Sequence, residues 1–190
     1  MPKKHIITLG GPPGSGKSTV KRILAEKLGY KMFSTGDFVR NLATKQGLTL
    51  EELNEKISGD KNTDLLIDAE LKRIEAEEDE YVIDSHLAFH FVPSAFSVFL
   101  NTSLETSALR IFNDKNAEMR IKSGDTMSTL EEARTRTKKR IDNHKERYQK
   151  HYGVDPYVAS QYDLAIDAEH STPEKIADDI LTAYNGWIST

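Results

Sequence analysis

Residues 6–18 read Ile6-Ile7-Thr8-Leu9-Gly10-Gly11-Pro12-Pro13-Gly14-Ser15-Gly16-Lys17-Ser18. Ile6 to Leu9 is an apolar strand and Gly10 to Gly16 a glycine-rich turn. Val20, Ile23, Leu24 and Leu28 then recur at helical spacing until Gly29 stops the pattern. Gly11 to Ser18 fits G-x-x-x-x-G-K-[ST], a phosphate-binding loop set between a strand and a helix. Several backbone N–H groups must converge on phosphate oxygens, so Cβ atoms must be absent where the chain bends. The following helix aims its positive end at the same anion. The pattern would arise by chance in roughly one in a hundred chains of this length, taking ~7% glycine as background. Lys17 is the predicted charge on the β- and γ-phosphates, and Ser18 the predicted magnesium ligand. Gly11, Pro12, Pro13, Gly14, Ser15, Gly16 and Thr19 complete the predicted ATP-binding loop, and the cofactors expected are ATP and Mg2+.

Outward from this loop, apolar runs alternate with amphipathic stretches, which predicts an α/β fold with a parallel sheet. Further strands are expected at Lys31–Phe33, at Tyr81–Ile83 ending on Asp84, at Phe96–Leu100 and at Leu164–Ile166, five in all. Helix starts are marked at Thr49-Leu50-Glu51-Glu52 and Thr129-Leu130-Glu131-Glu132, both capping boxes, and at Thr172-Pro173. The expectation is one domain over 1–190, a three-layer α/β/α core made of 1–37, 78–112 and 151–190. Two helical segments interrupt it: an insertion at 38–77 and a lid at 113–150.

The bulk composition narrows the classes. With 190 residues, 29% charged and 37% hydrophobic, the chain can bury a real core. A net charge of −4 gives no global pull toward nucleic acid or anionic membrane. The absence of cysteine excludes disulfides, zinc–thiolate sites and thiol catalysis. The first apolar stretch is too short for a signal-peptide core or a bilayer span, so a cytoplasmic protein with no membrane partner is expected.

Ser34-Thr35-Gly36-Asp37-Phe38-Val39-Arg40 follows the second strand. It resembles the S-T-G-D-x-x-R segment of adenylate kinases and related nucleoside monophosphate kinases. That likeness implies Arg40 as the clamp on the acceptor phosphate, with Thr35, Gly36 and Asp37 beside it; an arginine fork suits two phosphate oxygens better than lysine does. Over nearly its whole length the chain most resembles compact archaeal cytidylate kinases. Asp64-Leu65-Leu66-Ile67-Asp68, Arg147-Tyr148, Tyr152-Gly153-Val154-Asp155 and Tyr162-Asp163-Leu164-Ala165-Ile166-Asp167 carry that likeness. Asp64 and Asp68 read equally well as a solvated face, with Asp68 pairing Lys72. After the third strand those kinases have an acidic residue, glycine and arginine, whereas here the run is Asp84-Ser85-His86. His86 is the candidate to stand in for that arginine at the acceptor phosphate. Asp84, at the carboxyl edge of the sheet, is the candidate to order magnesium or its waters. His86 and His90, four apart with Asp84 nearby, invite a metal-site reading, but nothing supplies a third convergent ligand.

Residues 134–150 form a basic stripe in an acidic protein: Arg134, Arg136, Lys138, Lys139, Arg140, Lys145, Arg147 and Lys150 against Asp142 and Glu146. Ala133, Thr137, Ile141, Tyr148 and Tyr152 mark the less polar face. Phosphoryl transfer needs charge neutralised and oxygens aligned, by groups that arrive once water is excluded. The resemblance implies Arg140 and Arg147 as catalytic, with Arg136 beside them, and Arg110 against the adenine of ATP. The partner expected is a nucleoside monophosphate, CMP or dCMP before UMP or AMP. Two alternatives stay open: a kinase of a non-nucleotide alcohol with Asp37 as base, and a weakly catalytic nucleotide-dependent regulator. The sequence does not set the oligomeric state.

Overall fold

The computed structural model describes residues 2–48, 52–53, 62–114 and 128–190. Five strands form one parallel sheet: β1 (Ile6–Gly10), β2 (Lys31–Ser34), β3 (Tyr81–Asp84), β4 (Phe96–Asn101) and β5 (Leu164–Asp167), in the order β2-β3-β1-β4-β5. The strands are those read from the sequence, each extended by one residue at its carboxyl end. The helices are α1 (Lys17–Leu28), α2 (Thr35–Lys45), α3 (Asn62–Glu77), α4 (Ala88–Phe91), α5 (Leu104–Asn113), α6 (Leu130–Tyr152) and α7 (Pro173–Ile188). The short α4 was not expected from the sequence.

Alternation along β1 assigns the two faces of the sheet. Ile7 and Leu9 join Val20, Ile23 and Leu24 of α1 and Ile176 and Ile180 of α7 in one apolar cluster. Ile6 points the other way, with Ile83, into a cluster built on Ile67, Leu71 and Ile74 of α3 and Ala88 of α4. These are the two outer layers of an α/β/α sandwich. Each fully buried Leu or Ile contributes roughly 1.5–3 kcal/mol of transfer free energy, so both faces hold β1 rigid just where it delivers the chain to Gly10.

Side-chain caps fix where the helices begin. Ser34 accepts from the Asp37 amide and starts α2; Thr172 accepts from the Lys175 amide ahead of Pro173. Thr129 accepts from the Glu132 amide at 3.1 Å, as its capping box requires. The return bond differs: the Glu132 carboxylate accepts from the Ser128 amide at 2.8 Å. The other predicted box, at Thr49–Glu52, lies outside the described residues. At its far end α6 stops at Gly153, whose φ of 69° is left-handed. Among the described residues no helix is long and apolar enough to cross a membrane.

The loop after β5 is tied to α5 by Glu169, which accepts from the Ser103 amide and from the hydroxyls of Ser103 and Thr106. These donors hold its carboxyl down at about 2. A depressed carboxylate stabilises the fold above its ordinary value of 4.5, and that stabilisation is lost as the pH falls from there toward 2. Glu169→Gln is therefore expected to melt below the wild type at neutral pH, with the gap narrowing once the pH drops under 4.5. A gap independent of pH in thermal melts would contradict the assignment.

Candidate active site

The site forms at the carboxyl edge of β1, β2 and β3, where ligands sit in open α/β sheets. At two glycines the turn after β1 has no room for a side chain. Gly11 has φ of 132°, and a Cβ there would lie 2.4 Å from the Leu100 carbonyl oxygen. Gly14 has φ of 82°, and its Cβ would meet the Ser107 carbonyl oxygen at 2.5 Å. The turn thus wraps tightly onto β4 and α5. Gly16 begins α1 with no side-chain cap, which leaves the first amides of α1 without a side-chain acceptor at the turn.

Lys17 is buried, and its ammonium donates to the carbonyls of Gly11 at 2.9 Å and Pro12 at 2.8 Å. Burial, offset in part by Asp84 and reinforced by Arg140, brings its pKa down to about 8. Ser18 donates its hydroxyl to Asp84 Oδ2 at 2.9 Å. β3 pairs with β1 in register, Leu9 opposite Asp84, and so carries the carboxylate to the loop. Pro12, Pro13 and Ser15 are buried in the turn, while Thr19 is exposed in the first turn of α1.

On the α2 side, Arg40 Nη2 donates to Asp37 Oδ1 at 2.7 Å, and Lys21 lies 3.5 Å from the other oxygen. Burial opposes the Asp37 charge, but Arg40 and then Lys21 hold the carboxyl below its ordinary value. Gly36 lies directly under the Arg40 guanidinium; a Cβ there would be 3.2 Å from Nη2. Arg40 Nε and Thr35 Oγ1 are buried without a hydrogen-bond partner, as is His86 Nδ1 on the loop after β3.

The long helix α6 lies along α5 and reaches this edge of the sheet. Arg140 is close enough to depress the pKa of Lys17, His86 and His144. Arg147 donates to the Tyr148 hydroxyl at 2.9 Å, and its Nε lies 3.4 Å from Asp64 Oδ2 of α3. Tyr152 donates to Asp68 at 2.7 Å. Asp64 and Asp68 are both buried, so the reading of them as a solvated face is corrected. Lys72, the partner expected for Asp68, instead places its ammonium over the Phe91 ring at 5.1 Å.

Arg136 is exposed and paired with Glu132 at 2.7 Å, one turn back on the same helix. Much of the basic stripe is similarly matched: Arg134 with Glu105 of α5, Lys138 with Asp142, Lys145 with Asp155. Arg110 Nη2 donates to the Ala168 carbonyl at 2.7 Å and the Glu169 carbonyl at 3.2 Å, in the loop after β5. Among the described residues no group of three or more His, Asp or Glu forms a metal cluster.

Two residues at the site escaped the sequence reading. His144 packs on His86 with ring centroids 4.5 Å apart, and its Nδ1 lies 2.8 Å from the Tyr157 hydroxyl. Its position was legible: His144 follows Ile141 by three and precedes Tyr148 by four, on the less polar face of α6. Tyr157 carries no such signal.

A strand–loop–helix phosphate cradle on a five-stranded parallel sheet defines a P-loop phosphotransferase, and residues 10–149 match the model of an AAA domain family. Shikimate kinase from Acinetobacter baumannii shares the fold, with a TM-score of 0.62 and 21% identity over 96% of this chain and 94% of that one. The chain is 35% identical to the cytidylate kinase of Sulfurisphaera tokodaii over 94% of both proteins. It is also 35% identical to that of Sulfolobus acidocaldarius, over 92% of this chain and 91% of the relative. It belongs to the cytidylate kinase family of ATP-dependent nucleotide kinases.

Proposed function

We propose that the chain transfers the γ-phosphate of ATP to a nucleoside monophosphate, CMP or dCMP ahead of UMP and AMP. The observation that carries the reading is the convergence of two sets of groups on one edge of the sheet. Lys17 and the bare amides of the loop face a donor triphosphate. Covered polar atoms of Thr35, Arg40 and His86, without hydrogen-bond partners of their own, belong to the segments that follow β2 and β3 at the same edge. Buried donors left unmatched are rare, and an anionic acceptor matches them. The cytidylate kinase relatives supply the base preference.

An acceptor phosphate oxygen is already anionic at neutral pH. It attacks the γ-phosphorus as the bond to the β–γ bridging oxygen breaks, so ADP leaves and no side chain need remove a proton. The protein's part is alignment and charge. Arg40 holds the acceptor, Lys17 steadies the donor phosphates, and Arg140 and Arg147 meet the charge on the moving group. Arg110, fixed to the loop after β5, offers a guanidinium plane to adenine. The oxygen donors Ser18 and Asp84, 2.9 Å apart, would hold a magnesium ion, which would supply positive charge to the donor phosphates. Segment 113–150 acts as the lid and 38–77 as the acceptor-binding insertion; the Arg147–Asp64 contact joins the two.

A coupled assay of ADP release with ATP, magnesium and a panel of monophosphates tests the proposal. CMP and dCMP are expected to give the highest kcat/KM, and no release above background with any monophosphate would defeat it. Arg40→Ala is expected to raise the acceptor KM about tenfold to a hundredfold, the weight of a charge-assisted hydrogen bond. The KM for ATP stays where it is. If both constants rise together, Arg40 is not an acceptor clamp.

A further inference from the structure

His86 sits on the loop that leaves β3, two residues past Asp84. Its Nδ1 is covered and has no hydrogen-bond partner. Three cations, Lys17, Arg140 and Arg147, are near enough to act on the ring. The nearby carboxylates are committed elsewhere, Asp84 to the Ser18 hydroxyl and Asp64 to Arg147. With the proton on Nδ1 the ring offers an unmatched N–H donor among cationic side chains, and an anionic oxygen is the acceptor that suits both. A phosphate monoester has the size and charge to meet the ring and the cations at once.

A single imidazole on a loop is a poor clamp unless its plane is fixed. Here that plane is set from α6. The His144 ring lies 4.5 Å from the His86 ring, tilted by 54°, and the Tyr157 ring edges it at 5.7 Å. His144 does not donate to His86; its Nδ1 is bonded to the Tyr157 hydroxyl at 2.8 Å. Burial pushes the Tyr157 hydroxyl far up, so the phenol keeps its proton and the bond persists across the working pH range. Tyr157 also stacks near-parallel with His144, at 14°. The order of support runs from Tyr157 to His144 to His86.

We propose that His144, oriented by Tyr157, is a positioning residue for acceptor binding: it holds the His86 imidazole in the plane that receives the acceptor's phosphate. Because His144 belongs to α6, His86 grips the acceptor only while α6 lies against the phosphate loop. The acceptor site is thereby completed by the same helix that brings Arg140 and Arg147. This inference rests on the nucleoside monophosphate reading above and adds the parts that make it lid-dependent.

The test is a double-mutant cycle in steady-state kinetics with CMP and ATP, using wild type, His86→Ala, His144→Phe and the double variant. His144→Phe keeps the ring and loses the bond to Tyr157. It is expected to raise the CMP KM about three- to tenfold, with the ATP KM held. His86→Ala is expected to raise the CMP KM about tenfold or more, and the double variant to match His86→Ala alone. Tyr157→Phe removes the same bond from outside α6 and is expected to move the CMP KM in the same direction. Additive effects in the cycle, an ATP KM that rises in step, or an unchanged CMP KM in both His144→Phe and Tyr157→Phe would overturn the proposal. If the wild type phosphorylates no monophosphate, the underlying function falls and this inference with it. If it phosphorylates CMP and both His144→Phe and Tyr157→Phe do so with the same KM, this inference alone falls.

Discussion

Lys17→Met is expected to cut phosphoryl transfer about a thousandfold or more, while the folded protein survives intact. Removing one preorganised donor from a site of developing charge costs ~10²–10³ in rate, and here the donor is a full cation. Its buried ammonium is held by the carbonyls of Gly11 and Pro12 and lies near the Asp84 carboxylate. Methionine has nearly the same length and no charge to desolvate. The carbonyls lose a donor, but a buried cation whose pKa burial has pulled down to about 8 is itself a strained occupant. The two changes oppose each other, so the melting temperature should barely move. Single-turnover transfer in parallel with a thermal melt decides the matter. A variant that keeps a tenth of the wild-type rate would place Lys17 outside the transfer step. A variant that loses rate only because it unfolds would make the residue structural.

The sequence disclosed the centre of the molecule better than its edge, for identifiable reasons. β1, β3 and β4 are covered on both faces, so they read as mainly apolar runs, Tyr81-Val82-Ile83 and, broken only by Ser97, Phe96 to Leu100. The loop Gly11–Ser18 was legible because backbone geometry restricts which residues can occupy it. Helix α4 was not, since four residues are too few to display a period. The stripe on α6 looked like a field of free positive charge only because its acids lie elsewhere in the chain: Glu105 on α5, Glu132 at the start of α6, Asp155 beyond its end. Asp64 and Asp68 misled in the opposite sense. Two carboxylates on a helix suggest solvent, and only the arrival of Arg147 and Tyr152 from α6 accounts for their burial. His144 was passed over because a histidine counts as polar in a hydrophobic pattern, although its body packs like a small aromatic ring. For Asp64 and Asp68 the missing information was a contact made across a long stretch of chain.

Arg140 and Arg147 share a helix, yet their replacement should have different consequences. Arg140 acts electrostatically on Lys17, His86, His144 and Tyr157, all at the phosphate loop or the groups packed over it. Arg147 faces two ways. It acts on the same two imidazoles, but it also anchors α6 to α3 through Asp64 and lies over the Tyr148 ring at 4.8 Å. Arginine donors to a transferring phosphoryl group are worth ~10³–10⁵ in rate. Arg140→Ala should therefore lower kcat by on the order of 10³, with little change in either KM. Arg147→Ala should lower kcat comparably and lower the melting temperature as well, because Asp64 is left buried without its cation. Asp64→Asn separates the two roles of Arg147: the uncharged amide weakens the anchor while the arginine stays. Its kcat should fall far less than that of Arg147→Ala. An Asp64→Asn enzyme as slow as Arg147→Ala would mean that Arg147 serves by holding α6 and α3 together, and that Arg140 carries the transition-state charge without it.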